Sequence, residues 1–142
     1  MSNSVKQILA GKPAGLVSVT PDDTLQLAMR TMVERNIGVL PVCEGDRLVG
    51  ILSERDFLRR VLFKGVSLDQ AVRSVMTEKI TTVHSGESIE RCMELMTQLR
   101  VRHLPVVDGD RLTGVLSIGD VVRVSLDEQR AMIEQLESYI RA

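Results

Sequence analysis

Apolar positions along this chain change period several times, and the order of changes occurs twice. Val17-Ser18-Val19 alternates and predicts a short strand. Pro21-Asp22-Asp23-Thr24 reads as a helix start, with acidic groups at the positive end of the dipole. Leu25, Ala28, Met29, Met32 and Val33 then recur at helical spacing. Val39 to Val42 predicts a strand, Gly45-Asp46 a turn, and Leu48 to Leu52 the returning hairpin partner. Ser53 starts a further helix. Pro41 lies inside a strand run, which points to an edge strand or a bulge.

Sliding the chain by 64 residues lays 17–57 on 81–121 with 14 identities in 41 positions and no gap. Leu40-Pro41-Val42 falls on Leu104-Pro105-Val106, Gly45-Asp46-Arg47-Leu48 on Gly109-Asp110-Arg111-Leu112, and Gly50, Ser53 and Asp56 on Gly114, Ser117 and Asp120. Ile89, Cys92, Met93, Met96 and Leu99 repeat the helical spacing, and Ser117 repeats the helix start. A register that aligns turns and glycines marks a duplication. Each copy reads β-α-β-β-α, an α/β (α+β) class of fold. One copy alone is too small to bury a stable core. Two copies packed sheet against sheet about a pseudo-twofold axis solve that. The expected organisation is a helical flank at 1–15 (Val5, Ile8, Leu9), a first copy at 16–63, a connector at 64–79 with an amphipathic turn from Leu68 to Val75, a second copy at 80–126, and a C-terminal helix at 127–142. That last helix carries a stripe of Met132, Ile133, Leu136, Tyr139 and Ile140, suited to covering the core or joining a second protomer.

Composition narrows the function. With 2% aromatic residues and no Trp, the core must be aliphatic, and base-stacking platforms are nearly absent. A net charge of -1 argues against nucleic acid or an anionic membrane as partner. No apolar run approaches membrane-spanning length, and Met1-Ser2-Asn3 opens no signal peptide, so a cytoplasmic location is expected. Cys43 and Cys92 lack CxxC spacing and fall at apolar positions, as core residues in a reducing compartment would. The methionines are read as core filler. Walker-type, GxGxxG, HExxH and GxSxG patterns are all missing, so no enzyme is expected and no catalytic or metal residue is assigned. His84 receives no role.

The candidate chemistry lies in Gly-apolar-apolar-Ser-x-x-Asp, at Gly50 to Asp56 and Gly114 to Asp120. Ser-x-x-Asp forms a capping box when serine is the N-cap and the acid sits at N3. The same geometry lets a carboxylate at a helix start accept from both hydroxyls of a sugar diol. Both readings stand at this point.

The doubled Leu-Pro-Val … Gly-x-x-x-Gly-apolar-apolar-Ser-x-x-Asp framework resembles the cystathionine-beta-synthase (CBS) motif, paired as a Bateman module of the small stand-alone bacterial type, over residues 5–126. The resemblance implies two clefts between the motifs that take adenosine-containing ligands. In the first, Ser53 and Asp56 would hold ribose, Thr81, Thr82 and Val83 would flank the base, and Arg102 and His103 would reach phosphate. In the second, Ser117 and Asp120 would hold ribose with Ser18, Val19 and Thr20 near the base. There Gly38 and Val39 stand where the other site has Arg102 and His103, and Arg55 would substitute for the missing charge. The resemblance further implies a homodimer of modules side by side, with a regulated partner protein as a possible reader. The expected function is a non-enzymatic sensor of AMP, with ATP or NAD(H) as other ligands. The alternatives are a ligand-free dimerisation module and redox sensing through the two cysteines.

Overall fold

The computed structural model describes residues 4–12 and 16–141. Its elements run α1 (Val5–Ala10), α2 (Leu25–Arg35), β1 (Val39–Glu44), β2 (Arg47–Ser53), α3 (Glu54–Asp56) continued by a π-helical segment (Phe57–Leu62), a 3-10 turn (Val72–Ser74), α4 (Ile89–Leu99), β3 (His103–Asp108), β4 (Arg111–Ser117) and α5 (Ile118–Arg141). The sheets are two-stranded, β1 with β2 and β3 with β4. Two compact units result. Among the described residues, the first holds 16–82 and 107–113, the second 4–12, 83–106 and 114–141.

In the first unit β1 and β2 are antiparallel, with Leu40 opposite Leu52 and a register shift between Val42 and Cys43. The strand expected at 17–19 shrinks to one parallel bridge, Val19 with Val42. Val19 donates to Pro41 O at 3.0 Å and accepts from Cys43 N at 2.8 Å. Extending the ladder toward Val17 needs an N–H at position 41, which proline lacks. Pro105 limits the second unit in the same way, where only Val83 bridges to Val106. Each hairpin turns on a glycine at φ +63°, Gly45 or Gly109, with no positive φ at the aspartate that follows. That is the type II′ pattern, whose twist matches the strands.

Thr24 caps α2 by accepting from Leu27 N at 3.1 Å, and Asn36 ends it in the left-handed region. Leu25, Ala28 and Met32 face the first core, joined by Leu40, Val42, Leu52, Val61, Val72, Val75 and Met76. Met29, Val33, Met93 and Leu99, expected on buried faces, are exposed. So is Met132, which limits the reading of methionines as core filler to residues such as Met32, Met76 and Met96. A 3.6-residue period places i and i+4 both near the core but gives full contact to only part of the stripe.

The flanking segments belong to the cores. Residues 70–72 lie along the entry to α2, with Leu25 N donating to Gln70 O and Val72 N to Asp23 O. Arg60, on the π-helical segment, reaches Val75 O at 2.6 Å and fixes the rest of the connector. In the second unit α1 has the matching place: Val5 N donates to Glu87 O at 3.1 Å, and Val5 is fully buried with Ile89, Cys92, Met96, Leu104, Val106, Leu116 and Val121. Such side chains contribute about 1.5–3 kcal/mol each when buried. The residues expected as a C-terminal helix at 127–142 lie, as far as 141, on α5, which runs unbroken for 24 residues from Ile118. No helix among the described residues is long and apolar enough to cross a membrane.

Candidate functional site

Both Ser-x-x-Asp passages form complete capping boxes at a strand-to-helix corner. In the first unit Asp56 N donates to Ser53 Oγ at 3.2 Å, and Ser53 N donates to Asp56 Oδ2 at 2.9 Å. The Ser53 hydroxyl lies 3.0 Å from the same oxygen. Thr77 Oγ1 donates to Asp56 Oδ1 at 3.2 Å, brought there by its ladder bonds with Ile51. Gly38 and Val39 border this corner, since Glu54 N donates to Gly38 O and Val39 pairs with Ser53.

The second corner repeats the box with a different third partner. Ser117 N donates to Asp120 Oδ2 and Asp120 N to Ser117 Oγ, at 2.9 and 3.2 Å. Where the first unit uses a neutral hydroxyl, Lys12 Nζ donates to Asp120 Oδ2 at 2.9 Å and to Val115 O at 3.0 Å. Arg123 lies 4.0 Å from the other carboxylate oxygen. Burial by itself pushes the Asp120 carboxyl up. The Lys12 ammonium and the Ser117 hydrogen bonds more than offset it, and the pKa falls below the usual aspartate value.

The remaining expected site residues are divided between the units. Ser18 and Thr20 are exposed beside the buried Val19 in the first unit, where Thr20 N donates to Asp23 Oδ2 at 2.8 Å. Ser18 also lines an open groove of about 430 Å³ with Leu16, Val17, Thr31, Glu34 and Arg35. Arg55, Thr81 and Thr82 are exposed in the same unit. Val83, Arg102 and His103 are in the second, with Val83 buried, Arg102 exposed and His103 half-buried. Arg102 O accepts from Ile118 N at 2.8 Å. This bond is the counterpart of Glu54 N to Gly38 O in the first unit, and it ties the Arg102 backbone to the Ser117 helix start.

Lys12 and Thr77 were missed by sequence reasoning, and so was the reason for two repeated glycines. A Cβ on Gly50 would lie 2.5 Å from Met76 Sδ, and one on Gly114 2.8 Å from Leu9 Cδ2. Each glycine lets a covering segment, the connector or α1, lie directly on the strand. The 64-residue offset places Lys12 on Met76, just outside the aligned stretch.

The CBS domain family matches the chain twice, over residues 5–62 and 72–127. The chain belongs to the CBS-domain family. It is 40% identical over 128 residues to the mitochondrial CBS domain-containing protein CBSX3 of Arabidopsis thaliana, covering 86% of this chain and 62% of that protein. The chain thus spans less than two thirds of that relative's length. A crystal structure of the CBS domain of NE2398 superposes with a TM-score of 0.82 at 40% identity, covering 89% of this chain and 99% of the other. The CBS domain pair of MJ0100, solved with 5′-methylthioadenosine and S-adenosyl-L-methionine, gives 0.78 at 25% identity over 90% of this chain and 99% of the other. In sequence the first CBS match includes α1 and the second begins at Val72. In space α1 closes the second unit and Val72 the first, so each core is sealed by the segment preceding the other motif.

Proposed function

We propose that this CBS-domain chain is a non-enzymatic regulatory module that binds adenosine-containing nucleotides at its Ser-x-x-Asp corners and reports energy or redox-cofactor state. AMP is the favoured ligand, with ATP and NAD(H) as further candidates. The observation that carries the reading is the pair of buried carboxylates, Asp56 and Asp120, each oriented by a capping serine at a helix start. A carboxylate held this way is organised to accept from a ribose diol without further ordering cost. The similarity to the MJ0100 pair, solved with two adenosine compounds, supports the ligand class.

Lys12 and Arg123 place positive charge at the Asp120 carboxylate, which favours that corner for a phosphate-bearing ligand. Binding acts on the readout only as far as affinity differs between conformations, passed to a partner protein or a second copy.

The test is calorimetry with AMP, ATP and NADH on wild type, Asp56→Asn and Asp120→Asn. Asparagine keeps an acceptor for the capping N–H while removing the charge that ribose hydroxyls would meet. Loss of affinity in either variant supports the reading, and unchanged affinity in both overturns the ribose role. A second reading, a ligand-free assembly module, draws on the completeness of both capping boxes without any ligand. It predicts no rise in melting temperature with any adenine nucleotide, whereas specific binding raises it.

A further inference from the structure

The distal half of α5 carries a hydrophobic seam that this chain does not cover. Every residue from 129 to 141 is exposed. Met132, Ile133, Leu136, Tyr139 and Ile140 are each between 54% and 83% exposed, and Val122 and Leu126 are nearly half exposed. A helical stretch this short, bare on all sides, holds its conformation weakly by itself. Five large apolar side chains within nine residues form a patch that soluble surfaces seldom leave open.

Spacing along the seam identifies the kind of cover. Val122, Leu126, Gln129, Ile133, Leu136 and Ile140 are separated by 4, 3, 4, 3 and 4 residues. That 3.5-residue alternation, with Met132 and Tyr139 flanking it along one edge, suits contact with another helix. The flanking residues then select partner and direction. In an antiparallel pairing of two copies, Ile133 packs on the partner's Leu136 and Leu136 on the partner's Ile133. Gln129 then meets the partner's Ile140 at each end. One edge of this register brings Arg130 to the partner's Glu137, twice by symmetry. The other brings Met132 to the partner's Tyr139, a thioether against a ring. A parallel in-register pair would instead set Met132 beside Glu137 and Ser125 beside Arg130, with no ion pair.

We propose that α5 joins two copies of this chain through an antiparallel two-helix coiled coil centred between Ile133 and Leu136. The contact is isologous, so it closes on two chains. It stands independently of the nucleotide reading.

Sedimentation equilibrium on the full chain tests it. Wild type should show at least the dimer mass, and Ile133→Asp combined with Leu136→Asp should halve the assembly mass. Circular dichroism of the variant should still show folded CBS units. Arg130→Glu and Glu137→Arg should each weaken dimerisation by about tenfold or more, since each turns two attractions into two repulsions. Combining the two reversals should restore affinity to near wild type. A monomeric wild type, or an assembly mass unmoved by the double aspartate variant, overturns the pairing. A combined reversal no better than the single ones overturns the antiparallel register.

Discussion

Replacing Lys12 by methionine isolates the feature that most distinguishes the two corners. The ammonium makes two hydrogen bonds, to Asp120 Oδ2 at 2.9 Å and to Val115 O at 3.0 Å. Hydrogen bonds involving charged groups contribute about 1.5–3 kcal/mol each in protected surroundings. The Lys12 side chain is 36% exposed, so water recovers part of that loss, while Asp120 at 9% cannot rehydrate freely. These effects together place the cost of Lys12→Met at roughly 1.5–2.5 kcal/mol near neutral pH. The pH dependence has a definite sign. The folded Asp120 pKa lies below the unfolded value, so its contribution is complete above the unfolded value of about 3.9 and is lost as pH falls through the depressed folded value. Urea unfolding followed by far-ultraviolet circular dichroism should therefore show a large gap between wild type and Lys12→Met at pH 7, narrowing in acid as Asp120 becomes protonated. The carboxyl of Asp120, followed by carbon NMR, should titrate higher in the variant. A gap below about 0.5 kcal/mol at pH 7, within the range of an ordinary surface change, or one that does not shrink in acid, would refute the ion pair as a structural element.

Two further outcomes follow from burial and close approach. Gly50→Ala and Gly114→Ala should each lose about 1–3 kcal/mol in urea unfolding, because the added methyl meets Met76 or Leu9. Gly114→Ala should also speed amide exchange in α1, and equal exchange would mean that α1 does not depend on this contact. Cys43 and Cys92 should resist maleimide in the native protein at pH 7 and react readily in urea. Burial raises both thiols, that of Cys92 to about 11 with help from Glu87. Equal labelling rates in native and unfolded protein would show that the thiols are not enclosed, and would reopen the redox alternative.

The duplication was legible because its information is local. Turn glycines, capping residues and strand alternation fall within 41 residues and recur at one offset. What escaped was set by contacts distant in sequence. Lys12 reaches Asp120 across 108 positions, and no pattern within either copy announces it. The short strand at 17–19 was overestimated although its limit was visible: Pro41 has no N–H to offer the next rung. The continuity of α5 was legible too, since no Gly or Pro follows Gly119 to break it. The second copy differs from the first in how its last helix runs on. In the first copy the equivalent helix gives way to a π-helical segment after Asp56.

The same asymmetry bears on function. Sequence comparison found one Arg-His pair against Gly38-Val39 and placed the phosphate with Asp56. Lys12 and Arg123 bring two cations to the Asp120 carboxylate itself. Among the described residues, Asp56 has a threonine hydroxyl as its third partner. A ribose hydroxyl can replace that neutral contact without breaking an ion pair, whereas at Asp120 a ligand must compete with Lys12 or draw it onto phosphate. On the proposed function, the Asp56 corner therefore responds chiefly to the nucleoside, and the Asp120 corner to the number of phosphate charges the ligand brings.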